Sequence, residues 1–276
     1  MDARLALMRI YWWLERRIAP GIRYSQLEYE EVLRENVVAG ARWLDLGCGH
    51  RLLPTYRAEI EKDLARRARS LVGVDLSREQ LARNATIRWP VLASGDHLPF
   101  ADDSFDLVTA NMVVEHLEDP ETCFAEVRRT LKPGGRFLFH TPNARGYGPR
   151  LAGSLPDPLK RAMVRVLEGR GEDEVFPAHY RANTPEEVTQ LAEATGWTVR
   201  RLDTVRSVAQ TATVPPLAAL ELLWLRRLGK PHLAPARPII LASLEKPAPH
   251  GAGPATDPAH TASPPPARTA AWDRTP

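Results

Sequence analysis

Cysteine is scarce: only Cys48 and Cys123 occur in 276 residues. Two thiols cannot build the disulfide framework of a small secreted fold, and neither lies at metal-ligand spacing from another donor. No metal site is expected, and a reducing, cytoplasmic location is. Long apolar runs are missing as well; none approaches the length that spans a bilayer. The first residues are interrupted by Asp2, Arg4 and Arg9, so they lack the unbroken apolar core of a signal peptide. Charge is not concentrated in one sign. The formal net charge is +3, and the arginine pairs Arg16-Arg17, Arg128-Arg129 and Arg200-Arg201 are scattered along the chain. That distribution describes a solvated surface and lacks the basic stripe of a nucleic-acid binder. No internal repeat stands out, and no motif specifies an oligomeric state.

What is present is enough apolar material, 43% of residues, for a sizeable core. Arg42 to Leu46 is mostly apolar, as a strand covered on both faces would be, and it runs into Gly47-Cys48-Gly49-His50-Arg51. Gly47 and Gly49 allow a sharp turn and close approach of backbone to a ligand. A helix over about 54–68 would aim its N-terminus, which favours anions, at that loop. A Gly-x-Gly after a strand is equally compatible with a plain tight turn, so the loop points to a nucleotide-type cofactor only in context.

The rest of the chain supplies that context. Residues 1–18 and 24–38 read as two helices forming an N-terminal cap over 1–40, the first with Leu5, Met8 and Trp12 on one broad side. Leu71 to Asp75 reads as a second buried strand ending in an acid, followed by Ser77 as the cap of a short helix. A third strand, Ile87 to Ala93, is broken by Pro90 and ends near Asp96. Phe105 to Ala110 reads as a fourth strand, with a loop and helix around 111–117 and a helix from Pro120 to Leu131. Lys132-Pro133-Gly134-Gly135 reads as a stop and turn before a fifth strand, Arg136 to His140. Residues 141–183 read as a lid insertion with one helix near 159–167. Thr184-Pro185-Glu186-Glu187 opens a capped helix that ends at Gly196, and a sixth strand follows over 197–205. A helix over 216–228 and a seventh strand over 238–244 complete a domain spanning 41–246. Residues 247–276 hold eight of the 25 prolines and no periodicity, which predicts a disordered tail. Strands alternating with helices predict an α/β, Rossmann-like, doubly wound sheet of about seven mostly parallel strands.

In their order and spacing, several of these segments resemble the class I S-adenosylmethionine-dependent methyltransferases, in the branch that includes quinone-biosynthesis enzymes. The matching pieces are Leu44-Asp45-Leu46-Gly47-Cys48-Gly49, Val72-Gly73-Val74-Asp75-Leu76-Ser77, Gly95-Asp96 with Leu98-Pro99-Phe100, Ser104-Phe105-Asp106-Leu107-Val108, and Leu131-Lys132-Pro133-Gly134-Gly135. The likeness is close over 41–142 and looser over 180–246, and it implies a reversed last strand. It implies S-adenosyl-L-methionine as cofactor, with Gly47 and Gly49 against its aminoacid end and Asp45 near its ammonium. Asp75, with Leu76 beside it, would take the ribose hydroxyls. Asp96, with His97, would take the adenine, and Asn111 would lie along the methionyl part. Each acid also has a plain reading as a turn cap at a strand end. The family usually has a third glycine where this chain has Arg51. Arg51 therefore turns away, meets the cofactor carboxylate, or weakens binding.

Methyl transfer needs alignment and exclusion of water more than covalent help, with a base where the acceptor is a hydroxyl or amine. His140, at the end of the fifth strand, is the first candidate, followed by His116 and His179; each could equally be a structural, hydrogen-bonded histidine. The expected acceptor is a small molecule or a lipid-like one. The aromatic first helix and the 216–228 helix, which ends near Arg226-Arg227 and Lys230, read as core, as a cover for an apolar acceptor, or as a weak peripheral membrane contact. Nucleic-acid methylation is not expected, since no Asn-Pro-Pro-Tyr-type motif or paired catalytic cysteine occurs. The alternative to an active methyltransferase is a non-catalytic cofactor-binding or scaffold protein of the same fold, for which Arg51 is the main argument.

Overall fold

The structure, a computed structural model, describes residues 3–148 and 177–248. The helix expected near 159–167 and nearly all of the expected tail lie outside the described residues. Strands β1 (Arg42–Leu46), β2 (Ser70–Asp75), β3 (Trp89–Leu92), β4 (Phe105–Asn111), β5 (Leu131–Pro142), β6 (Thr198–Val205) and β7 (Ile239–Glu245) form one sheet in the order β3-β2-β1-β4-β5-β7-β6. Neighbours from β3 to β5 pair parallel, and β7 runs antiparallel to both β5 and β6. The expected doubly wound sheet with a reversed last strand is therefore the observed one.

Alternation along the strands divides the core between the two faces. Leu44, Val72, Val108, Phe137 and Ala242 join one apolar cluster, while Trp43, Leu71, Leu107, Leu138 and Leu241 join the other. A period of two does this wherever both faces are covered. Helices α1 (Ala3–Ile18), α2 (Ser25–Asn36), α3 (Ala58–Arg67), α4 (Arg78–Arg83), α5 (Pro120–Thr130), α6 (Pro185–Ala194) and α7 (Pro215–Arg227) pack around the sheet. On the first face Phe124 of α5 is fully buried and meets Phe137 and Phe139 edge-on, with ring centroids 5.2 and 5.6 Å away. On the second, Leu33 of α2 and Leu64 of α3 pack. A third cluster lies between α1 and α7 through Tyr11, Ala218, Leu222 and Leu225.

Three local expectations are corrected. Lys132-Pro133-Gly134-Gly135 does not end an element; it is a bulge inside β5, where the pairing with β4 jumps from Phe105↔Leu131 to Leu107↔Arg136. Its backbone is held by Lys246, whose carbonyl accepts from Gly134 N–H at 2.8 Å and whose N–H donates to Gly135 at 3.0 Å. The helix expected around 111–117 is only a 3₁₀ turn, Val114–His116. The third strand is confined to Trp89–Leu92 and tolerates Pro90 because β3 is an edge strand. Among the described residues, no helix is long and apolar enough to cross a membrane.

The strand order reverses between β1 and β4, which leave the sheet in opposite lateral directions. The crevice at their C-terminal ends is where doubly wound sheets bind ligands.

Candidate active site

The loop after β1 is built by backbone conformation. Gly47 has φ +63° and Gly49 φ +49°, in the left-handed region that side chains other than glycine adopt at a cost. A Cβ on Gly47 would also lie 2.5 Å from Cγ2 of Val113, whereas Gly49 faces open space. The loop is fixed from β2 and α4. Asp75 accepts from Gly49 N–H at 2.8 Å and from Ser77 N–H at 2.7 Å. Asn84 donates to the carbonyls of Cys48 and Gly49 at 3.3 and 3.0 Å. Ser77 caps α4 by accepting from Gln80 N–H.

Over this loop lies a cavity of about 580 Å³, within the range of small-molecule and cofactor sites. Gly47, Gly49, Asp75, Leu76 and Asp96 line the side contributed by the first three strands. Met112, His116, Glu118 and His179 contribute the side that follows β4. Each oxygen of Asp75 accepts one backbone N–H and keeps lone-pair capacity, which suits paired hydroxyls of a ribose. Gly49 leaves room at the loop, and Asp96 is exposed for a donor such as an exocyclic amine. The residues therefore fit a nucleoside with a charged amino-acid arm.

On the β4 side, His116 Nδ1 is 2.9 Å from the carbonyl oxygen of Pro177. A carbonyl only accepts, so Nδ1 carries hydrogen, and Nε2 bears the lone pair in the neutral ring. That Nε2 is 3.9 Å from Glu115 Oε1. Glu115 is buried, accepts from the Thr141 hydroxyl at 2.8 Å, and has its carboxyl pushed up by burial. His179 donates its backbone N–H to Glu115 O at 2.7 Å, and its Nε2 lies 3.7 Å from Glu118. Two histidines and two acids from Glu115 to His179 thus converge beside the cavity.

Five of the residues expected at the site do not line this cavity. Asp45 is buried beneath the loop and accepts from the Thr109 hydroxyl, which in turn accepts from Trp43 Nε1 at 2.7 Å; burial pushes Asp45 up to about 7. Arg51 and His97 are exposed, and neither lines the cavity. Asn111 and His140 form a separate polar cluster: His140 Nδ1 is 3.0 Å from Asn111 Oδ1, and Asn111 Nδ2 reaches Leu52 O at 3.3 Å and Gln26 Oε1 at 3.5 Å. Burial pushes His140 down to about 4, so its ring is neutral at pH 7. His140 Nε2 and Gln26 Nε2 are buried without a partner. Among the described residues, no group of three or more histidine, cysteine or acidic side chains gathers to hold a metal.

Residues 44–139 match the model of the methyltransferase domain family. The chain carries a class I S-adenosylmethionine-dependent methyltransferase domain. It is 24% identical over 206 residues to a ubiquinone biosynthesis O-methyltransferase of Aeromonas salmonicida, covering 70% of this chain and 79% of that protein. It is 32% identical over 165 residues to a probable S-adenosylmethionine-dependent methyltransferase of Mycolicibacterium smegmatis, covering 58% of this chain and 53% of that protein. The chain thus spans most of the first relative and about half of the second. An S-adenosylmethionine-dependent methyltransferase structure from Mesorhizobium loti has the same fold, with a TM-score of 0.51, 23% identity, and coverage of 78% of this chain and 96% of that one. The cofactor of this methyltransferase is S-adenosylmethionine.

Of the residues that line the cavity, Gly47, Gly49, Asp75 and Asp96 stand in motifs that the sequence displays. Glu115, Glu118 and Gln26 were not singled out. The first two do carry a signal, since Glu115-His116-Leu117-Glu118 places two acids around a histidine just beyond β4. Gln26 has none, because its role depends on α2 packing over β4 and β5.

Proposed function

We propose that this methyltransferase moves a methyl group to a hydroxyl of a small-molecule or lipid-like acceptor, with His116 as the base. The observation that carries the reading is the cavity itself, where the nucleoside-suited loop and acids share one space with a histidine of fixed tautomer. S-adenosylmethionine supplies an electrophilic methyl group on a sulfonium. Gly47 and Gly49 would hold the aminoacid arm, Asp75 the ribose and Asp96 the adenine. His116 accepts the acceptor's proton at Nε2, and Glu115, close to that nitrogen, stabilises the imidazolium that forms. His179 and Glu118 border the acceptor. His140, buried and paired with Asn111 outside the cavity, is assigned no contact with the acceptor. The name of the Aeromonas salmonicida relative, an O-methyltransferase, supports oxygen as the acceptor atom.

Against the non-catalytic alternative, Arg51 is exposed and does not line the cavity, and Gly49 keeps open space beside it. The test is turnover of S-adenosylmethionine across a panel of phenols, catechols and quinols. His116→Gln is expected to lower the rate by roughly 10² to 10⁴ and to leave binding of S-adenosylhomocysteine unchanged. A His116→Gln variant with full turnover would remove His116 from the role. Absence of methyl transfer to any hydroxyl acceptor, with transfer to amines instead, would overturn the choice of oxygen.

A further inference from the structure

The cluster between α1 and α7 uses only the inner sides of these helices. Of the fifteen large apolar side chains exposed among the described residues, eight lie on these two helices. α1 exposes Leu5, Ile10, Trp12 and Trp13, with Trp13 at 55%. α7 exposes Leu217, Leu220, Leu223 and Trp224, with Leu220 at 65%. Scattered exposed leucines need no explanation, but a concentration on two helices that pack together does.

The charges of these helices decide what covers the patch. Each helix has a single carboxylate, and both are engaged elsewhere. Glu15 accepts from the Tyr24 hydroxyl at 2.8 Å. Glu221 accepts from the Tyr147 hydroxyl and from the N–H groups of Gln210 and Thr211. The exposed charges are all cations: Arg9, Arg16 and Arg17 on α1, and Arg226, Arg227 and Lys230 at the end of α7. The Arg17 guanidinium lies 6.0 Å from the Trp13 ring centre, placing a cation beside an exposed aromatic. Tryptophan and leucine flanked by arginine and lysine suit the boundary of acyl chains and anionic headgroups. A second copy of the chain would bring cations against cations with no exposed acid on these helices to pair them.

We propose that the outward faces of α1 and α7 are a docking surface for a bilayer containing anionic lipid. The inference is independent of the acceptor atom and of His116. It places a cytosolic-face or similar anionic membrane next to an enzyme whose acceptor is taken to be small or lipid-like.

Flotation of the full chain with vesicles tests it. Binding is expected to vesicles of phosphatidylcholine with phosphatidylglycerol, weaker binding to phosphatidylcholine alone, and loss with rising salt. Arg16→Gln with Arg227→Gln is expected to weaken binding to the anionic vesicles roughly thirtyfold, since one basic residue near an anionic surface contributes about fivefold. Trp13→Ser with Leu220→Ser is expected to weaken binding to both vesicle types by at least about tenfold. Both double variants should bind S-adenosylhomocysteine as the unaltered chain does, which verifies that they fold. The proposal is overturned if the unaltered chain does not float, if neither double variant weakens binding, or if sedimentation velocity shows a dimer that the Trp13/Leu220 variant dissolves.

Discussion

Asp75 does two things with one carboxylate: it fixes the glycine loop through Gly49 N–H and opens α4 through Ser77 N–H, while facing the cavity. Asp75→Ala is therefore expected to raise the dissociation constant of S-adenosylhomocysteine about 10- to 100-fold, read by calorimetry, because charge-assisted hydrogen bonds contribute roughly 1.5–3 kcal/mol each. Gly47→Ala should fail differently. Its Cβ meets Val113 at 2.5 Å and its φ is +63°, so the variant is expected to lose stability on the order of 1–3 kcal/mol in urea titration as well as cofactor affinity. Asp45 and His140 make a paired prediction about pH. Asp45 is pushed from 3.8 to about 7 by burial, so the folded protein holds its proton where the unfolded chain has released it, and stability falls as pH rises across that window. His140 is pushed from 6.5 to about 4, so the unfolded chain takes up its proton first, and stability falls as pH drops across that window. The two slopes oppose each other. Asp45→Asn should leave only the acid-side loss and His140→Gln only the loss with rising pH, each measurable as melting temperature against pH.

At the scale of elements, the sequence carried most of the fold because most elements state their own limits. Thr184 accepts from Glu187 N–H at 3.2 Å while the Glu187 carboxylate accepts from Thr184 N–H at 3.0 Å, so the start of α6 was written in four consecutive residues. Thr184→Ala should cost about 1 kcal/mol of unfolding free energy in denaturant titration. Phe124→Ala should cost about 3–5 kcal/mol, since it empties a space walled by Phe137 and Phe139. What misled local reading was tertiary. Pro133-Gly134-Gly135 has the composition of a turn, yet Lys246 from beyond β7 pairs with it and keeps it within β5. Asn111 and His140 stand at strand ends, as expected of cofactor contacts, yet Gln26 and Leu52 close over them. His140 ranks above His116 in the sequence because strand ends face the crevice; the contact of His116 with Pro177, 61 residues on, is a tertiary one that the sequence does not show.

At the scale of the molecule, the reversal of strand order between β1 and β4 brings the glycine loop and the Glu115–Glu118 segment to one cavity. The central claim is that one side of that cavity holds the cofactor and the other performs chemistry on the acceptor. Calorimetric titration of the full chain with S-adenosylhomocysteine, run in parallel on Asp75→Ala and His116→Gln, separates the two sides in a single measurement. The account predicts one-to-one binding by the unaltered chain, an affinity lowered about 10- to 100-fold in Asp75→Ala, and an unchanged affinity in His116→Gln. Equal binding by the unaltered chain and Asp75→Ala would contradict it.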